Sequence, residues 1–281
     1  MKKIILKKKY RNILLLTILF VCVGVIIYNV VGFIRWNIDR NKIVEETKQV
    51  DEIIEIIEVK DTEEVELINP PEEKPSDYWY YVDLPFTQVD LTELKKINKD
   101  TVGFISVAGT NINYPVVQAN DNKYYLTHSF QKKYNQAGWV FMDYRNNSNF
   151  TDRNTVIYGH GRLDTTMFGS LKNILKTDWV NSKSNYVIRY STETENLLFQ
   201  VFAVYTVEKE SYYIETNFNS DTDYKIWLDT MIKRSKYDFK TTVDENDIIL
   251  TLSTCKEYSD GKERVVMQSK LIKKDRKIEV R

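Results

Sequence analysis

The apolar positions are spread unevenly along the chain. From Ile13 to Ile34 they are nearly unbroken, interrupted only by Thr17, Gly24, Tyr28, Asn29 and Gly32. As a helix, this run of 22 residues reaches about 33 Å, enough to cross a hydrocarbon core. Beyond it, Ile43, Thr47, Val50, Ile54 and Ile57 recur at alternating spacings of four and three among Glu and Lys, which predicts a helix with one mainly apolar face over 41–58. Asn69-Pro70-Pro71 and Pro75 then break it. Asp90-Leu-Thr-Glu93 has capping-box spacing and predicts a short helix to about Asn98. After that the pattern becomes β-rich, with runs at 102–107, 111–117, 138–142, 155–158, 186–190, 197–207, 248–253 and 264–272. Two helical stretches interrupt them, at 167–175 and at 221–236, where Tyr224, Trp227, Leu228 and Met231 share a face. Eight strand runs with so few helices between them favour a mainly β, closed or nearly closed barrel over a doubly wound sheet.

Charge divides the chain further. Lysines and arginines balance aspartates and glutamates at 40 each, but residues 1–11 carry +6, residues 35–77 carry −8 and residues 78–281 carry +2. The basic flank predicts a cytoplasmic N-terminus, an uncleaved membrane anchor at 12–34, an acidic helical stalk or linker at 35–77 and an external domain at 78–281. The competing reading is a cleaved signal peptide, but the apolar run is long for one and no small-x-small cleavage pattern follows. The external domain has no basic patch and no phosphate-cradling glycine loop, so nothing points to nucleic acid, nucleotide or a cofactor.

The chain has two cysteines and two histidines. Cys22 lies within the apolar run, which leaves Cys255 alone outside the predicted membrane. Without an intrachain partner it is a buried small residue, an intermolecular link or a working thiol. It ends the strand run Ile248-Ile-Leu-Thr-Leu-Ser-Thr-Cys255, and the following turn contains Asp260-Gly261 before Arg264 opens the next run. A hairpin there puts Cys255 and Arg264 at one end of neighbouring strands, where a guanidinium stabilises a thiolate or an oxyanion. Thiol chemistry also needs an acid/base group. His160, flanked by Gly159 and Gly161 after an apolar run, is the better placed histidine. His128, in Tyr124-Tyr-Leu-Thr-His128, reads as a packing or surface residue. Ser253 shares the strand parity of Cys255, and Tyr258 lies in the turn; both are candidate groove residues for substrate. Two histidines and one external cysteine do not make a zinc site.

The order His160, Cys255, Arg264, with Tyr158-Gly-His160, Thr251-Leu-Ser-Thr-Cys255 and an arginine opening the following strand, resembles the sortases, membrane-anchored cysteine transpeptidases of Gram-positive bacteria. The resemblance extends over roughly 91–272. Asp100-Thr-Val-Gly-Phe-Ile-Ser-Val-Ala-Gly-Thr-Asn-Ile-Asn-Tyr-Pro-Val-Val-Gln118, Asn122-Lys-Tyr-Tyr-Leu126, Phe141-Met-Asp-Tyr-Arg145, Met167-Phe-Gly-Ser-Leu171 and the helix at 221–236 are similar to class B members. Gly161 stands where several class B relatives carry Asn. The resemblance implies an eight-stranded barrel with an N-terminal helical extension and a long helix inserted before the cysteine strand. It implies Cys255 as nucleophile, His160 as general acid/base and Arg264 as stabiliser of substrate and oxyanion. The implied substrates are secreted proteins with an Asn-Pro-x-Thr-like C-terminal sorting signal, joined to a peptidoglycan precursor amine. Two other readings stay open on the residues: a thiol hydrolase that releases its acyl group to water, and a membrane-tethered assembly module without chemistry.

Overall fold

The structure, a computed structural model, describes residues 8–72, 76–255 and 262–277. In chain order its elements are α1 (Lys8–Ile53), β1 (Ile56–Val59), β2 (Glu66–Leu67), α2 (Asp77–Val82), β3 (Phe86–Val89), α3 (Thr92–Ile97), β4 (Thr101–Val107), β5 (Asn113–Val117), β6 (Phe141–Met142), β7 (Asn154–Tyr158), α4 (Thr177–Val180), β8 (Val187–Ser191), β9 (Glu195–Glu208), α5 (Asp221–Arg234), β10 (Ile249–Cys255) and β11 (Glu263–Arg276). The chain divides into two compact units at Ile43/Val44. The first is helical, and its apolar side chains, Phe20, Tyr28 and Phe33 among them, are exposed. Among the described residues, this is the one helix long and apolar enough to cross a membrane.

The second unit is a barrel. Its strands run in the order β10-β7-β6-β5-β4-β8-β9-β11, and β11 pairs back onto β10, so among the described residues eight strands close into a ring. The contacts β5–β6 and β7–β10 are parallel; the other six are antiparallel. Closure removes free edges from the ring. β9 and β11 pair over their whole length, with register shifts at Gln268/Ser269 and Leu271/Lys273 that let two 14-residue strands bend around the core. Each of the eight sequence-predicted runs overlaps one ring strand, because alternation and β-branching there agree with burial.

Helix α5 lies between β9 and β10 in sequence and covers the barrel with the face formed by Tyr224, Trp227, Leu228 and Met231, all at most 1% exposed. Ser220 Oγ accepts the Asp223 N–H at 3.1 Å, acidic residues occupy the first turn and Lys233 and Arg234 the last, so both ends suit the helix dipole. Asp90 Oδ1 accepts the Thr92 N–H and hydroxyl at 2.9 and 2.7 Å before α3, whereas Glu93 pairs with Lys96 instead of completing a capping box.

Two stretches differ from the helices predicted for them. Residues 167–175 form 3₁₀ turns over Gly169–Leu175, because Met167 sits at φ +51° and bridges to Gly161. The helix predicted over 41–58 ends at Ile53, and Ile56–Val59 pairs with Phe86–Val89. The β-branched run Ile56-Ile57-Glu58-Val59 meets an available strand partner, and pairing outweighs the helical period. The acidic segment is knit to the barrel thereafter. Lys273 bonds Asp61 at 2.5 Å, Asp275 accepts the N–H and hydroxyl of Thr62, and β2 pairs with β11. Asn69 donates to Asp244 and Asp247, the latter a buried partner of Lys270 at 3.1 Å.

Candidate active site

Strand β10 stands between β7 and β11, so the residues at its C-terminal end have neighbours on both sides. On one side the parallel ladder runs to Ser253 opposite Tyr158, and the Gly159 N–H donates to the Ser253 carbonyl at 3.3 Å. His160 thus follows Tyr158 by two residues as Cys255 follows Ser253. On the other side the antiparallel ladder ends with Cys255 opposite Arg264. The three positions come together at one end of the barrel, with Cys255 in the middle strand. Arg264 is partly buried, and its Nη1 donates to the Glu263 carbonyl at 3.2 Å.

The loop after β7 is tightly folded. The His160 carbonyl accepts from the N–H of Arg162 and of Phe168, at 3.1 and 3.0 Å, and Gly161 bridges to Met167. Inside the loop the Arg162 side chain is 1% exposed and meets Asp164 at 2.8 Å and Thr166 Oγ1 at 2.9 Å. A buried ion pair of this geometry closes the loop on itself. Gly159 is required for close approach: a Cβ there would lie 2.6 Å from Phe168 Cγ.

The His160 ring bonds the Leu126 carbonyl through Nε2 at 2.8 Å. Burial holds its pKa below the ordinary imidazole value; the Leu126 carbonyl works the other way, while Arg162 and Arg264 add to the lowering. The balance favours the neutral form of the ring.

Next to the histidine strand, the Tyr158 hydroxyl donates to Asp143 Oδ2 at 2.8 Å. Asp143 is fully buried and also receives Asn122 Nδ2 and both the Nε and Nη2 groups of Arg145. Burial pushes its carboxyl up, but these bonds outweigh burial and leave its pKa lowered. Arg145 then reaches the Ile214 carbonyl at 2.9 Å, which ties this wall to the segment leading into α5.

Ser253 is 2% exposed, and its hydroxyl lies 2.9 Å from that of Tyr213. Tyr258 falls outside the described residues. His128 packs: its ring stacks on Tyr124 at 4.1 Å, and Nδ1 donates to the Tyr124 carbonyl at 2.8 Å. Sequence reasoning did not single out Tyr213, the Asp143–Arg145 pair, Arg162–Asp164 or the Leu126 carbonyl. The Asp164-Thr-Thr166 spacing is a local turn signal for the last loop; a backbone carbonyl carries none.

A barrel closed by β10 and β11 thus brings three positions to one end, Cys255 and Arg264 on paired strands and His160 in the loop just after β7. The chain belongs to the sortase family, whose domain model matches residues 105–272. It is similar to Sortase B of Listeria monocytogenes, with 39% identity over 188 residues, covering 66% of this chain and 75% of the relative. A sortase-B-like protein of Bacillus anthracis has a crystal structure 43% identical, with TM-score 0.60 over 65% of this chain and 82% of its own. The Staphylococcus aureus sortase B–substrate complex is 37% identical, with TM-score 0.61 over 65% of this chain and 84% of its own. These relatives place the chain in class B, and it is a sortase transpeptidase.

Proposed function

We propose that this enzyme cleaves a C-terminal sorting signal after its threonine and joins the new carboxyl to a peptidoglycan amine, with Cys255, His160 and Arg264 carrying the chemistry. The observation that carries this reading is the register of three neighbouring strands, with Cys255 opposite Arg264 and His160 following the parallel partner strand. The Cys255 thiol passes its proton to His160 as its sulfur attacks the threonine carbonyl, and Arg264 stabilises the oxyanion. The C–N bond breaks as His160 protonates the departing amine, leaving a thioester. An acceptor amine then attacks the thioester, His160 takes its proton, and the C–S bond breaks as the departing sulfur recovers that proton, which restores the thiol and the neutral ring. Ser253, by its strand parity with Cys255, and Tyr258, by its place in the sequence after Cys255, are the substrate-side residues of this reading, with the Ser253 hydroxyl buried beside that of Tyr213.

The substrates are secreted proteins with an Asn-Pro-x-Thr-like signal, a motif suggested by the class B resemblance. The helix at 12–34 anchors the enzyme in the cell membrane, with the +6 flank at 1–11 in the cytoplasm and the barrel outside. The exposed apolar side chains of that helix support a lipid environment. The acidic segment at 35–77 leads from the membrane to the catalytic domain at 78–281.

Incubating the membrane-inserted enzyme with a sorting peptide, with and without an amine, tests this reading. Amine-dependent peptide transfer, abolished in Cys255→Ala, is the expected result. Equal hydrolysis with and without amine contradicts it.

A further inference from the structure

We infer that the main-chain carbonyl of Leu126 is the positioning group for His160: it fixes the proton of the neutral imidazole on Nε2 and leaves Nδ1 as the nitrogen that exchanges protons with thiol and substrate. This rests on the acid/base role proposed for His160 and adds which nitrogen performs it.

The valence argument is direct. A carbonyl oxygen offers only lone pairs, so the 2.8 Å contact at Nε2 requires the hydrogen on that nitrogen. In the neutral ring, Nδ1 is then the acceptor. The bond also survives protonation, because Nε2 carries a hydrogen in the imidazolium as well, and a charged donor strengthens it. In a serine hydrolase triad a buried carboxylate holds the histidine tautomer in this way. Here a neutral backbone group takes that place.

The carbonyl belongs to a built site. Three successive carbonyls of this segment accept hydrogen bonds: Tyr125 from the Trp139 N–H at 2.9 Å, Leu126 from His160, and Thr127 from the Asn135 N–H at 2.9 Å. The bonds on either side come from one loop, 135–139, whose ends are fixed. Trp139 is fully buried and donates its Nε1 to the Pro115 carbonyl at 2.8 Å, and Asn135 is 2% exposed. Within the loop, Gly138 sits at φ +59°, where a Cβ would lie 2.4 Å from the Tyr125 oxygen, 2.9 Å from the Leu126 oxygen and 3.0 Å from His160 Cδ2. Gly138 is therefore the residue whose missing side chain lets the carbonyl and the ring meet. The Leu126 side chain takes no part in the bond and is 39% exposed.

The test is long-range ¹H–¹⁵N NMR of the full chain in nanodiscs with ¹⁵N-labelled histidine. The chain has two histidines, so His128→Gln assigns the ring signals without touching the site. At pH above the His160 titration, the expected result is a protonated-type shift on Nε2 and an unprotonated-type shift on Nδ1. Leu126→Ala, which keeps the carbonyl, leaves this pattern unchanged. Gly138→Ala is expected to mix the tautomers and lower kcat by about 10- to 100-fold with little change in KM, the cost of a displaced catalytic ring. A proton on Nδ1, or an even tautomer mixture in the wild-type chain, overturns the inference, and that reading does not depend on Gly138→Ala folding. If His160→Ala keeps full transfer activity, the acid/base role falls instead. An inactive His160→Ala together with a protonated Nδ1 removes only the positioning role of Leu126.

Discussion

Cys255 and Arg264 are directly opposed Cα partners at the end of the β10–β11 ladder, and Arg264 is also held opposite Val207 of β9. The arginine position is therefore fixed from both sides by backbone pairing. Removing a preorganised oxyanion donor costs about 10²- to 10³-fold in kcat. Arg264→Ala is expected to show a loss of that size in steady-state transfer assays, and Arg264→Lys an intermediate one, since lysine keeps the charge but lacks the planar fork. Activity of Arg264→Ala within threefold of wild type would remove the role.

The pH profile follows from His160. Its pKa is lowered by burial, with Arg162 and Arg264 adding to the effect. In the base role proposed for it the ring must be neutral, so the acidic limb of kcat/KM is expected below the ordinary imidazole value of about 6.5. Arg264→Ala removes one of the opposing charges and is expected to move that limb upward in whatever activity remains. A limb above 6.5 in the wild-type enzyme contradicts the assignment.

Asp143 makes stability depend on acid. Its folded pKa lies below the ordinary carboxyl value, despite burial, because of its bonds to Arg145 and Tyr158. The stabilisation is therefore complete above the unfolded pKa, near 3.9, and is lost as pH falls through the lower folded value. Asp143→Asn is expected to cost about 1.5–3 kcal/mol at pH 7, the range for a hydrogen bond to a charged group. In thermal denaturation, the gap between variant and wild type should narrow below about pH 4.

Helix α5 is held chiefly by its buried face. Trp227 is 1% exposed, packs against Tyr224 and Phe218, and donates Nε1 to the Tyr212 carbonyl. Trp227→Ala is expected to lower stability by about 3–5 kcal/mol in chemical denaturation. The neighbouring Ile226→Ala, at an exposed position, is expected to change it by less than about 0.5 kcal/mol.

The barrel was legible where two signals coincide. In Leu197-Leu-Phe-Gln-Val-Phe-Ala-Val-Tyr205, β propensity and near-total burial agree, and the strand is long. The face of α5 was legible because its 3.6-residue period coincides with its packing. The period across Ile54 and Ile57 misled, since Ile56–Val59 finds Phe86–Val89 across a sheet that local sequence does not reveal. The candidate site divides in the same way. Cys255, His160 and Arg264 stood out by residue type and position, and strand register brings their positions to one end of the barrel. Leu126 was invisible, because what it contributes is a carbonyl that every residue possesses. Tyr213 and Arg145 act through long-range contacts to Ser253 and Ile214, which no spacing along the chain encodes.

The most direct test of the proposed chemistry is mass spectrometry of the full-length enzyme after incubation with an Asn-Pro-x-Thr peptide and no amine. The expected result is an acyl adduct on Cys255 with the mass of the peptide truncated after threonine, discharged when an amine is added and absent from Cys255→Ala. A sorting peptide processed to product by the Cys255→Ala enzyme would contradict the account.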